Sequence, residues 1–385
     1  MSASHVLYMD HAATSPIRPQ AREAMLTALE LGANASSVHS LGRKAKLIVE
    51  EARTQVLDLV GGYGAKLVFT SSGTEANNLA LHQAIVRDDI THLIISDGEH
   101  DSIYTAANYV GKPVLKWPLL PSGLADLEAL KALLAQVEGR AFVALMLVNN
   151  ETGIIQPVAE AAEIVHAAGG WLHVDAVQAA GKINIDIETL GADSLTLTAH
   201  KIGGPVGVGA LVYNSGHTIL PMITGGGQEQ GLRAGTENVA GLAAFGVAAL
   251  AARVCEGLPQ QTSNEAALKA LGAHIIGEDV PRVSGITCLA VPDWSSQLQL
   301  IHMDMAGICV SSGSACSSGK VKHSRVLNAM GLENLSSGVL RISTGWSSQP
   351  ADWGRFFEVW SGGYQTFRAR QKTNKSTKLN IKEKA

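Results

Sequence analysis

The sequence predicts an α/β protein organised around a mostly parallel sheet, and three features carry that expectation. Short β-branched or apolar runs at residues 66–70, 92–96, 142–148, 171–174, 194–198 and 209–213 recur, with helical segments between most of them. The run 142–148 is apolar without a break, so both its faces must be covered, as in a parallel sheet with helices on each side. At 385 residues the chain exceeds the size at which one hydrophobic core keeps growing, which predicts two domains.

Past the glycine-rich segment Gly225-Gly-Gly-Gln-Glu-Gln-Gly231 the pattern changes to an Ala-rich helix from 238 to about 256, then to further helices and a few isolated strands. The expected division is a large domain over residues 13–245 and a smaller α+β domain formed by residues 1–12 and 246–370. The Lys-, Asn-, Ser- and Thr-rich residues 371–385 lack apolar periodicity and are expected to be a disordered tail.

Composition narrows the function classes. With 46% hydrophobic residues, 17% charged and 40 glycines the chain has the make-up of a globular enzyme. A net charge of −4 gives no electrostatic case for nucleic acid or a membrane surface, so a small-molecule substrate fits better. The weakly polar stretch 239–252 is too short to span a bilayer and reads as a buried helix. Residues 1–10 carry no signal-peptide pattern, so a cytoplasmic location is expected. Cys255, Cys288, Cys309 and Cys316 form no CxxC pair, which indicates neither a disulfide framework nor a metal site.

Three segments carry candidate chemistry. In Phe69-Thr-Ser-Ser-Gly-Thr-Glu-Ala-Asn-Asn78 a strand runs through Ser and Gly into a helix starting near Thr74, presenting free N–H groups and hydroxyls to an anion. The same letters also make an ordinary helix cap. Trp171-Leu-His-Val-Asp-Ala-Val-Gln178 delivers Asp175 at the end of an apolar strand. A carboxylate there could keep a pyridine nitrogen protonated, or serve as a turn or cap residue. In Leu195-Thr-Leu-Thr-Ala-His-Lys-Ile-Gly-Gly-Pro205, Lys201 follows an apolar strand and precedes a tight turn. A desolvated amine of this kind is a Schiff-base candidate, although surface lysines are common.

Taken in order, these segments resemble the fold-type I pyridoxal-phosphate (PLP) enzymes of aminotransferase class V. From Tyr8-Met-Asp-His-Ala-Ala-Thr14 to Leu340-Arg-Ile-Ser343 the chain is similar to the cysteine desulfurases. The resemblance implies that Lys201 carries PLP, with Gly73, Thr74, Thr198 and His200 at its phosphate and His100 stacked on its ring. It implies Asn150 and Gln178 at the ring substituents and Asp175 at the pyridine nitrogen. Asn34 and Arg341 match substrate-binding positions, Arg341 as a bidentate clamp on a carboxylate. Thr236 matches a residue that reaches the phosphate of a neighbouring subunit, which implies a homodimer.

Cys316 lies in Val310-Ser-Ser-Gly-Ser-Ala-Cys-Ser-Ser-Gly319, a small and polar setting, whereas Cys255, Cys288 and Cys309 have apolar neighbours and read as packing thiols. The match to the long-catalytic-loop group implies that Cys316 takes sulfur from L-cysteine, leaving L-alanine and a persulfide for iron–sulfur cluster assembly or other sulfur transfer. Catalysis would rest on Cys316, Lys201 and His100, a sulfur-acceptor or scaffold protein would be the partner, and Cys316 could transiently ligate an iron–sulfur cluster. A selenocysteine lyase or another class V lyase would share the Lys201 site, and a non-catalytic scaffold would share the fold. Two departures stand out: the loop continues as a basic run, Lys320-Val-Lys-His-Ser-Arg325, where the family usually has an acidic-Pro step, and Trp346 stands where it usually has arginine.

Overall fold

The computed structural model describes residues 6–253, 260–313 and 324–382. The chain opens with β1 (Leu7–Tyr8), α1 (Pro19–Leu31) and α2 (Ser40–Leu59). The alternating part holds β2 (Ala65–Thr70), α3 (Gly73–Val86), β3 (Ile90–Ser96), α4 (Asp101–Tyr104), β4 (Val114–Trp117) and α5 (Leu127–Leu134). It continues with β5 (Arg140–Met146), α6 (Val158–Ala167), β6 (Trp171–Asp175), β7 (Ser194–Thr198) and β8 (Gly209–Asn214). Next come α7 (Val239–Ala252), α8 (Gln260–Ala270), β9 (His274–Ile275), β10 (Ile286–Ala290) and α9 (Ser296–Met305). The last elements are β11 (Ile308–Cys309), α10 (Arg325–Ala329), β12 (Val339–Ser343) and α11 (Pro350–Lys382).

Seven strands form one sheet in the order β2-β8-β7-β6-β5-β3-β4. Only β8 runs against its neighbours; the pairs β3–β4, β3–β5, β5–β6 and β6–β7 are parallel. All six expected strands are present. The additional one is β4, whose four residues include Lys116, too short and too polar to stand out from the sequence. Alternation along β5 shows why its run is apolar throughout. Val143 and Leu145 pack in a core with Ala21, Val49, Leu130, Ala161 and Phe245 from five helices. Phe142 and Ala144 pack on the other face with Leu79 and Ala80 of α3. With both faces covered, the polar chemistry is left to the strand ends.

α7 lies against α1 and α2, and the close approach depends on Gly246, where a Cβ would stand 2.7 Å from Ala52 Cα. Phe245, Ala248, Ala249 and Ala252 all belong to the core on that side of the large sheet. The helix therefore continues in one piece through the expected division at 245/246. Among the described residues no helix is long and apolar enough to cross a membrane.

A second body gathers β10 between β12 and β9, both antiparallel to it, with β1 pairing parallel to β11 nearby. Its core contains Leu289, Leu340, Ile342, Trp353, Phe356 and Trp360, together with Leu7 and Met9 from the N-terminal segment. Trp294 stacks on Tyr364 and Phe367 of α11. That helix is helical to Lys382, where the composition predicts disorder from 371. Its docked first half supplies the nucleus, and Lys, Gln and Leu propagate a helix once one exists. Cys288 is buried as expected, whereas Cys309 is half-buried at the end of the short strand β11. Cys255 lies outside the described residues.

Two glycine substitutions should separate the close helix contact from an open helix surface. Gly246→Val is expected to cost ~1–3 kcal/mol by overpacking. Gly362→Ala, which meets nothing within 4 Å, should stabilise α11 by up to about 1 kcal/mol. Melting temperatures of the two variants check the contrast.

Candidate active site

The C-terminal ends of β2, β3, β5, β6 and β7 converge on a cavity of about 810 Å³, closed from the other side by Arg341 of β12 and by Val310, Ser311 and Gly313. Parallel pairing produces this convergence, because the strands all end on one edge. Gly73, Thr74, His100, Asn150, Asp175, Gln178, Thr198, His200, Lys201 and Arg341 line it. Asn34 and Thr236 do not. Each is exposed on a loop of its own chain, and Asn34 Oδ1 is engaged by the Ser36 N–H at 2.8 Å. Cys316 lies outside the described residues, although the segment leading to it, through Gly313, forms part of the wall.

Ser72 caps α3 by accepting from Glu75 N–H, and Glu75 in turn accepts from Ser71 N–H at 2.8 Å. The cap and the anion-site readings of this motif thus hold together, since the capped end opens on the cavity at Gly73 and Thr74. A Cβ at Gly73 would stand 3.1 Å from Val177, so the glycine lets the helix terminus sit close to the exit of β6. Lys201 follows β7 on a single 3₁₀ turn (Ala199–Lys201), and its Nζ donates to Ala12 O at 2.6 Å and Ala13 O at 2.7 Å. His200 is pushed down to about 4, first by burial and then by the Lys201 and Lys182 charges, so it stands neutral beside the lysine.

Asp175 is buried at the end of β6, and both its oxygens accept N–H bonds, Oδ2 from Asn77 at 2.8 Å and Oδ1 from Val177 at 3.0 Å. His100 caps α4: its Nδ1 accepts from Ser102 N–H at 3.1 Å, which leaves Nε2 free to carry the proton. Gln178 donates to Ala12 O at 2.7 Å and accepts from Lys182. Arg341 is 4% exposed; it donates to Asn150 O and to Asp10 Oδ1, each at 2.9 Å, and its Nε has no partner among the described residues.

These groups suit PLP. A helix N-terminus takes a phosphate, an amine takes an aldehyde, a carboxylate faces a ring nitrogen, and a buried guanidinium with an unused N–H is prepared for a substrate carboxylate. The comparisons agree. The profile of the aminotransferase class-V family matches residues 7–356. The chain is 36% identical to cysteine desulfurase IscS 1 of Archaeoglobus fulgidus over 94% of its own length and 98% of that protein's, and 37% identical to a cysteine desulfurase of Cereibacter sphaeroides over 92% and 94%. The chain belongs to the cysteine desulfurases of aminotransferase class V. Among solved structures, a NifS-like protein from Rickettsia africae superposes with a TM-score of 0.85 at 35% identity, covering 94% of this chain and 100% of that one. The structure titled SspA in complex with cysteine gives 0.77 at 28%, covering 88% and 98%.

In this desulfurase several residues left unassigned by sequence reasoning hold the site together. His173 is buried and lowered to about 3 by that burial, hence neutral. Its Nε2 meets Asn77 Oδ1 at 3.0 Å and its Nδ1 meets Ser194 Oγ at 2.9 Å, which also accepts from Trp171 Nε1 at 3.2 Å. Donors and acceptors match along the whole chain from Trp171 to Asp175, so each orientation is determined. Two residues apart on one strand, His173 and Asp175 share a face, and that spacing is the signal by which His173 could have been found.

Glu99 immediately precedes His100 in the chain. It is buried at the cavity wall; Oε1 accepts from Met146 N–H, and Oε2 has no partner among the described residues. Burial, then the Asp175 charge, raises it to about 8. Arg325, the one described basic residue of the 320–325 run, is committed to Asp101 at 2.8 Å and lies 3.7 Å from the Tyr104 ring centre. Its charge is therefore turned toward the cavity rim.

A carboxyl that ionises near 4.5 unfolded and about 8 folded makes the folded state hold the extra proton between those values. Stability contributed at this position should thus be full below pH 4.5, fall as pH rises toward 8, and level off above it, by an amount on the order of 5 kcal/mol. Glu99→Gln should abolish the slope. Chemical denaturation of the cofactor-free protein and the variant from pH 5 to pH 9 checks this.

Proposed function

We propose that the chain binds PLP in this cavity and removes sulfur from L-cysteine, giving L-alanine and a persulfide on Cys316. The observation that carries the reading is the meeting of Lys201, Asp175, the α3 N-terminus and Arg341 in one cavity whose wall leads into the Cys316 segment. Bound there, PLP supplies an electron sink for bond changes at the substrate Cα and Cβ.

The chain's own residues divide the remaining work. Lys201 would hold the cofactor through its amine and would move a proton at the substrate Cα. Asp175, oriented by Asn77, would keep a proton on the ring nitrogen, and Asn150 and Gln178 would hold the ring substituents. Gly73, Thr74, Thr198 and His200 would hold the phosphate, and His100 would hold the ring. Arg341 receives the substrate carboxylate as a fork. The Cys316 thiolate attacks the substrate sulfur; the new S–S bond forms as the Cβ–S bond breaks, and the persulfide sulfur then passes to an acceptor thiol.

Thr236, exposed and away from its own chain's cavity, supports a homodimer in which each copy completes the other's phosphate site. Asn34 would likewise act on substrate from outside its own chain's cavity. The acceptor is a scaffold or carrier protein that builds iron–sulfur clusters or thiolated products, in the cytoplasm.

Cys316→Ser should lower alanine formation from cysteine by roughly 100-fold or more while keeping the absorbance band of bound PLP. Lys201→Ala should lose that band. Full turnover by the serine variant would overturn the assignment of Cys316.

A further inference from the structure

Behind Lys201 lies a second cavity of about 240 Å³, whose lining includes Arg18, Lys182, Ile202, Trp346 and Lys201 itself. The lysine-bearing turn is therefore a partition between two spaces. A short 3₁₀ turn leaves its last carbonyls without partners of their own, and a turn with room behind it is free to relax unless those carbonyls are held.

They are held by one short segment. Ser15 N–H donates to His200 O at 2.7 Å and Ser15 Oγ to Lys201 O at 3.2 Å. Arg18 Nε donates to Ile202 O and Arg18 N–H to Gly203 O, each at 2.8 Å. Four consecutive carbonyls, from His200 to Gly203, thus accept from Ser15 and Arg18. Gly203 has φ +84°, and a Cβ there would stand 2.6 Å from Arg18 Cγ and 2.9 Å from Trp346 Nε1, so the turn is pressed against both side chains. No carboxylate pairs with Arg18 among the described residues. Instead its guanidinium lies 5.3 Å from the Trp346 ring centre, and Trp346 Nε1 donates to Pro16 O at 2.9 Å. The tryptophan that replaces the family's usual arginine is thereby the brace of the guanidinium.

We propose that Arg18, braced by Trp346, is a positioning residue for Lys201: it holds the lysine-bearing turn against relaxation into the second cavity and so sets where the amine stands. The inference rests on the reading that Lys201 carries PLP. Arg18 does not line the first cavity; it acts through the backbone of the turn.

The test uses the PLP-loaded protein and its Arg18→Ala, Trp346→Ala and Trp346→Phe variants. It reads the pH midpoint of the lysine-dependent absorbance band, the rate of PLP release, and kcat and KM for cysteine. Both alanine variants should shift the midpoint by roughly half a pH unit or more and release PLP faster. Their kcat should fall about tenfold, with KM changed by less than about twofold. Trp346→Phe, which keeps a ring face under the guanidinium, should stay near wild type. Arg18→Ala, a change at a partly exposed position, carries the test alone where Trp346→Ala does not fold. A band present in every variant with unchanged midpoint and release rate overturns this inference alone. A band that survives in the Lys201→Ala variant overturns the reading of Lys201 beneath it.

Discussion

In the parallel pairing of β5, β6 and β7, Met146 stands opposite Asp175 and Asp175 opposite Thr196, and this register decides which side chains can meet. A slip of one residue would turn Asp175 from the cavity into the apolar layer beneath it. The register is secured from within by the hydrogen-bonded chain Trp171–Ser194–His173–Asn77–Asp175, which crosses from β6 to β7 and to α3. Because every member is buried and satisfied, each is costly to reorient.

Charge at the site is kept sparse by burial. His173 and His200 are driven neutral and Glu99 is pushed toward its acid form, which removes three charges from the surroundings of Asp175, Lys201 and Arg341. A guanidinium and a carboxylate so placed interact more strongly than they would in water. Burying them is tolerable because each has partners: Asp10 and Asn150 for Arg341, Asn77 and Val177 for Asp175.

The N-terminal segment joins the two bodies through the site. Asp10 pairs with Arg341, Ala12 N–H donates to Ser343 Oγ, and Ala12 O accepts from both Gln178 and Lys201. Farther along, Ser15 and Arg18 hold the lysine turn. The groups expected to grip the substrate and to carry the cofactor are therefore fastened to one stretch, from Asp10 to Arg18. A displacement of either body would be felt at the other, since packed elements transmit small shifts.

Much of this was legible beforehand because it is local. Apolar periodicity marked six of the seven strands, the Ser-Gly-Thr-Glu cap marked the start of α3, motif order along the chain singled out Asp175 and Lys201, and the family resemblance added Arg341. The short edge strand β4, the helical extent of α11 and the partial exposure of Cys309 depended on what lies beside them. Asn77 and Arg325 lie in motifs legible in the sequence and Glu99 precedes His100, yet their partners Asp175, Asp101 and Met146 come from other segments. Sequence by itself determined the sheet-based fold and the residue types of the site, because periodicity and turn chemistry act over a few residues. Tertiary structure alone decided which donors face which acceptors and how Arg18 reaches behind Lys201, because those contacts join residues far apart in the chain, 98 positions for Asn77 and Asp175 and 184 for Arg18 and Ile202.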